Sequence, residues 1–145
     1  MKTERVNSKR IDLALFLLRV VLAVIFIFHG GGKLFGLFGG PGIAGAAGMM
    51  AGLGIPFPTA SATLVGTVEF LGGIALLAGV AVRYVSIPLL ITMITAMVTA
   101  HSGFHFMKGG IEHPLTVAVI LSALIFTGAG KYTVKNLLQT SKAST

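Results

Sequence analysis

A chain of 145 residues holds one domain, and this one is 54% apolar and 10% charged, with a mean hydropathy of +0.94. A soluble domain of that size carries about a quarter charged residues, so the composition excludes an ordinary soluble fold and points to a surface that faces lipid. The net charge of +7 is concentrated at the chain ends, in Lys2, Arg5, Lys9 and Arg10 and again in Lys131, Lys135 and Lys142. That is the pattern of membrane flanks rather than of a nucleic-acid-binding stripe.

Four apolar runs follow, each near the roughly 20 residues a helix needs to cross a bilayer. The spans are predicted at about 13–29, 60–82, 84–101 and 114–130. They make an all-α, four-transmembrane-helix bundle over residues 12–130. Residues 1–11 form a basic N-terminal segment and 131–145 a C-terminal tail. Asp12 is predicted to cap the first helix, since a carboxylate suits the positive helix end. Arg19 interrupts the first run and no small-residue cleavage site follows, so it reads as a retained helix rather than a signal peptide. Pro88 is expected in the first turns of the third span and Pro114 at the start of the fourth, where a missing N–H costs least.

Lys and Arg residues set the orientation. With both termini cytoplasmic, the inner side collects the four N-terminal basic residues, Arg83 and the three tail lysines, and the outer side holds only Lys33 and Lys108. The first outer loop, Gly30 to Thr59, is long and glycine-rich yet apolar. Its segment Ile43 to Leu53 is predicted to be a short interfacial helix whose Gly45, Gly48 and Gly52 allow close packing.

Two groups of residues could carry chemistry. Arg19 and Glu69 place charge inside hydrocarbon, where it must be paired or hydrated. On these spans their backbones differ in height by roughly 9 Å at 1.5 Å per residue. They are therefore expected to pair, either as a clamp on helix register or as a polar, proton-handling site near the midplane. His29, Lys33, His101, His105, Glu112 and His113 gather at the outer end. His101 and His105 have i, i+4 spacing, which with Glu112 or His113 as a third ligand would suit a metal. With no cysteine in the chain, thiolate metal sites, iron–sulfur clusters and disulfides are excluded. A quinone headgroup is the other use for this set, because its carbonyls accept hydrogen bonds from His and Lys while a carboxylate exchanges protons. Interfacial polarity without chemistry is a third. The run His29-Gly30-Gly31-Gly32-Lys33-Leu34 lacks the Ser/Thr and the preceding strand of a phosphate loop. Phe26, Phe28, Phe35 and Phe38 read as packing rather than a cofactor box.

Arg19 with His29-Gly30 and Lys33, Gly54-Ile55-Pro56, Glu69 with Gly72-Gly73, Gly79 and Arg83, His101, Gly109-Gly110-Ile111-Glu112 before Pro114-Leu115, and the closing Gly128-Ala129-Gly130 occur in an order that resembles the DoxX family. The resemblance runs over roughly residues 12–131. It implies a four-helix integral protein of a bacterial or archaeal cytoplasmic membrane, linked to quinone-dependent redox complexes. Its motif positions are Arg19, His29, Lys33, Glu69, His101 and Glu112. The leading expectation is a redox-associated subunit binding quinone in the outer half, with electrons supplied by a partner subunit or soluble donor. A non-catalytic anchor or assembly subunit, with a protein partner or as a homo-oligomer, is the alternative. A small-molecule transporter is a third, disfavoured by the small interior and the lack of broken or inverted-repeat helices.

Overall fold

A computed structural model describes residues 2–101, 103–105 and 109–142, and among these every regular element is a helix. Helix α1 spans Lys2–Phe35 and leads through a 3-10 turn, Leu37–Gly39, into α2, Gly42–Gly52. Helices α3 (Pro58–Ala78), α4 (Val82–Thr99), α5 (Glu112–Thr127) and α6 (Val134–Lys142) complete the order. Three helical stretches, Ser8–Phe35, Pro58–Ala78 and Val82–Thr99, are long and apolar enough to cross a membrane. The stretch expected as a fourth span is shorter. Gly128 takes φ 79° and ψ −157°, which closes α5 at sixteen residues. That is about 24 Å of helix against a hydrocarbon core of about 30 Å.

α1 packs along α3, α4 along α5, and α3 joins the two pairs through α4. One core binds them: Leu22, Ala23 and Phe26 of α1, Leu76 of α3, Val82 and Leu89 of α4, and Val117, Leu121 and Leu124 of α5. Outward, large apolar side chains such as Val24, Leu64, Ile91, Val98, Val119 and Phe126 are left uncovered by protein. They give the helices the apolar exterior that the composition predicts.

α2 forms where a short helix was expected, but it packs by other residues. Gly48 and Gly52 have open space around them, and a side chain at Gly45 would meet only Pro41 of its own helix. The buried contacts are Ala46 and Ala47 against Ala62 of α3, with Met50 beside them. Asp12 is likewise not a cap. α1 begins ten residues earlier, so Asp12 lies inside the helix, buried, and accepts a hydrogen bond from the Lys131 backbone N–H at 3.1 Å. Lys131 also reaches Ser8, which places the segment leading into α6 beside the N-terminal part of α1. We call this the proximal end of the bundle and the opposite one the distal end.

Candidate functional site

Glycines set the register of α1 on α3. A side chain at Gly30 would strike Gly66 O at 2.8 Å and the Phe70 backbone; one at Gly73 would strike Ile27 N at 3.0 Å and Ala23 O at 3.1 Å; one at Gly66 would strike Leu34. Backbone thus rides on backbone along the antiparallel pair, as small residues permit between membrane helices. The tri-glycine run is explained by contacts on three sides. Gly30 faces α3, Gly31 faces Leu37 and Phe38, and Gly32 lies against the backbone of Gly40, where the loop folds back onto α1.

This register decides which charges meet. Phe70 lies against Gly30 and Gly66 against Leu34, so Glu69 is level with Gly31. Lys33 is half a turn further, and its Nζ donates to Glu69 Oε2 at 2.5 Å. The carboxylate side chain is 4% exposed and the lysine 24%. The pair is therefore sunk into the helix interface from the acid's side and opens outward at the lysine. His29, one turn below Lys33, is exposed and lies within electrostatic reach of both Lys33 and His113. Aromatic contacts flank the site: Phe28 stacks on Phe38 at 3.9 Å, and Phe35 meets Phe70 edge-on at 5.4 Å.

The expected Arg19–Glu69 pair does not form. The twelve residues from Arg19 to Gly31 put about 18 Å of helix between Arg19 and the level of Glu69. The expected 9 Å separation places the inner end of the first helix at Asp12, whereas α1 begins at Lys2 and the glycine contacts bring Arg19 level with the residues just past the end of α3. Arg19 is instead fully buried toward the proximal end. It donates to Leu76 O at 2.9 Å and to Tyr132 O, and its guanidinium lies 5.7 Å from the centre of the Phe16 ring. Leu76 is in the last turn of α3, where Gly79 (φ 70°) ends the helix and its N–H bonds the same carbonyl. A cation at the carbonyls of a helix C-terminus is favoured by hydrogen bonding and by the helix dipole. Arg19 is thus a bolt joining α1, the end of α3 and the segment before α6.

The other candidates divide. α4 stops at Thr99, so His101 and His105 lie in a loop and the i, i+4 spacing never becomes a shared helical face. His101 is half-buried and its Nδ1 donates to Ala96 O at 2.8 Å, closing the helix end. His105 is exposed beside Phe104. Among the described residues no three His, Asp or Glu side chains come together as a metal would need, so His101, His105 and His113 do not assemble as a ligand set. Glu112 opens α5, its N–H bonded to Phe104 O at 3.1 Å. Gly110 lies so close to Phe104 that a side chain there would overlap its backbone, which accounts for glycine at that position. Lys108 lies outside the described residues. The Lys33–Glu69 pair escaped the sequence reading, although the glycines at 30, 66 and 73 carry the register that implies it.

The DoxX family pattern matches residues 14–102, more than half of the chain, and the protein belongs to the DoxX family of membrane proteins. The match includes Arg19, His29, Lys33, Glu69 and His101 and ends before Glu112. A curated relative from Bacillus subtilis (strain 168), named "Putative oxidoreductase CatD", is 28% identical over 122 residues, covering 84% of each chain. No solved structure matches the chain.

Proposed function

We propose that this protein is a redox-associated subunit of the cytoplasmic membrane that takes a quinone headgroup at the distal end of the bundle, beside Lys33 and Glu69. The observation that carries the reading is the Lys33–Glu69 pair itself. A buried charge pair within an apolar helix interface is expensive unless it serves register or function. Here the glycine contacts already set the register, which leaves the pair available for function. Lys33 faces outward enough to donate to a quinone carbonyl, His29 supplies a second donor nearby, and Glu69 is a carboxylate placed to exchange a proton with the bound group. His101 and Glu112 stand at the same end as candidate lining residues.

Reducing a quinone to a quinol takes two electrons and two protons. No haem, flavin or thiol site is legible in the chain, so a partner subunit or soluble reductant supplies the electrons. The relative's oxidoreductase name agrees with that class of role. In this reading α5, extended by its flanking residues, is the fourth span and α2 lies in the outer interface. Both termini are cytoplasmic, as the distribution of Lys and Arg favours.

The test is organic extraction and mass spectrometry of gently purified protein, comparing wild type with Glu69→Gln and Lys33→Met. A near-stoichiometric quinone that is lost from a folded Lys33→Met variant supports the reading. Absence of quinone from folded wild type, with the variants failing only to assemble, favours the second reading of a non-catalytic assembly subunit. That reading draws on Arg19, which serves structure at the other end without facing any site.

A further inference from the structure

The nine-residue helix α6 has no counterpart among the predicted elements, and its surface is sorted sharply. Val134, Leu137 and Leu138 fall within an arc of about 100° at the helical period, with Lys135, Asn136, Gln139 and Thr140 on the remainder. The three apolar side chains are 45%, 66% and 61% exposed, so none of the described residues encloses them. At roughly 13 Å the helix is far too short to cross a bilayer.

Its position is nevertheless fixed. Asp12 holds the Lys131 N–H and Arg19 holds Tyr132 O, while Thr133, itself buried, caps α6 by accepting from the Asn136 N–H at 3.2 Å. Asn136 Nδ2 donates to Lys131 O at 2.8 Å. Tyr132 rests edge-on against Phe16 at 5.9 Å, an aromatic with a polar tip at the end of a lipid-facing helix. Around this root lie exposed basic side chains: Lys9 and Arg10 on α1, Arg83 against Gly128, Lys131 and Lys135. Asp12, near Lys131 Nζ at 3.8 Å, is buried.

We infer that α6 is a membrane-surface helix. It seats Val134, Leu137 and Leu138 among the acyl chains of the proximal leaflet and holds Lys135, with Lys9, Arg10, Arg83 and Lys131, against anionic phospholipid headgroups. Two observations select lipid over a protein partner. The apolar face is rooted at the proximal ends of membrane-crossing α1 and of α5, and the exposed charges described around it are of one sign.

Because the chain has no cysteine, single cysteines at Leu137 and Gln139 can carry spin labels in the full-length protein. The protein is placed in nanodiscs of phosphatidylcholine, with or without phosphatidylglycerol. The label at Leu137 is expected to show a several-fold higher ratio of oxygen to nickel-chelate collisions than the label at Gln139. Phosphatidylglycerol should widen that contrast, and Lys135→Glu with Arg10→Glu should abolish the widening while the helix stays bound. Equal access of the nickel chelate to both positions would place α6 in water and overturn the inference. A Leu137 label closed to both reagents would mean that protein covers the face, and would overturn it equally. A contrast indifferent to phosphatidylglycerol and to both charge reversals would refute the headgroup preference.

Discussion

Lys33 and Glu69 are unequal partners, because the lysine can reach the surface and the acid cannot. Replacing Glu69 with Gln leaves an ammonium on a flexible stem that can swing outward, at a cost of about 1 kcal/mol. Replacing Lys33 with Met strands a carboxylate that has little contact with solvent, for which roughly 3 kcal/mol is expected. Thermal unfolding in detergent should therefore rank Lys33→Met well below Glu69→Gln, and the double variant Lys33→Met/Glu69→Leu should recover much of the loss. Equal single effects would mean that the lysine is as enclosed as the acid. Arg19→Ala removes donors from Leu76 O and Tyr132 O and should lower stability by about 3 kcal/mol. Arg19→Lys, one point charge in place of a fork, should recover part of it. These losses should appear in unfolding temperature without altering quinone retention by the folded fraction. That separates the proximal bolt from the distal pair.

At the scale of helices, glycine means different things at different places. Gly30→Ala and Gly73→Ala would force a methyl into backbone of the facing helix and should cost roughly 1–3 kcal/mol each, read by unfolding and by loss of monodisperse protein. Gly48→Ala meets nothing within 4 Å in the middle of α2 and should be neutral or stabilising by about 0.5–1 kcal/mol. The sequence reading assigned close packing to Gly45, Gly48 and Gly52 because composition alone cannot tell a glycine that faces a neighbour from one that faces open space. It located α2, α3 and α4 within a few residues, since apolar runs are local signals, but ran the second span past Gly79, where α3 ends. It misplaced both ends of α1, because neither Lys2–Ile11 nor Gly30–Phe35 looks helical by composition; the latter is held by packing on α3 and the returning loop. α6 was missed for a similar reason: nine residues give little periodicity, and its path depends on Asp12 and Arg19 more than a hundred residues earlier.

For the molecule as a whole, the all-helical membrane architecture was legible from composition, and its charge partners were not. Hydropathy counts how much apolar surface there is, but pairing depends on the register between distant helices. Orientation can be checked with the same cysteine-free background. Single cysteines at Lys9 and Lys135 should react with an impermeant maleimide only from the cytoplasmic side, and one at Gly54 only from the outside. Labelling of Lys9 and Gly54 from one side would refute the arrangement.

The hydrogen bond from Arg19 to Tyr132 spans 113 residues of chain, and that gives it a meaning during synthesis. At about 5–20 residues per second, the first helix waits roughly ten seconds after Arg19 emerges before its last acceptor exists. Through that interval a guanidinium destined for full burial must be sheltered by water, headgroups or the insertion machinery. Completion of the chain is what releases it. Ribosomes that stop short of Tyr132 would therefore leave a nascent bundle marked by an unmet charge, and a chain truncated after Gly130 should be cleared by membrane proteases far faster than the full-length protein, as pulse–chase labelling would reveal.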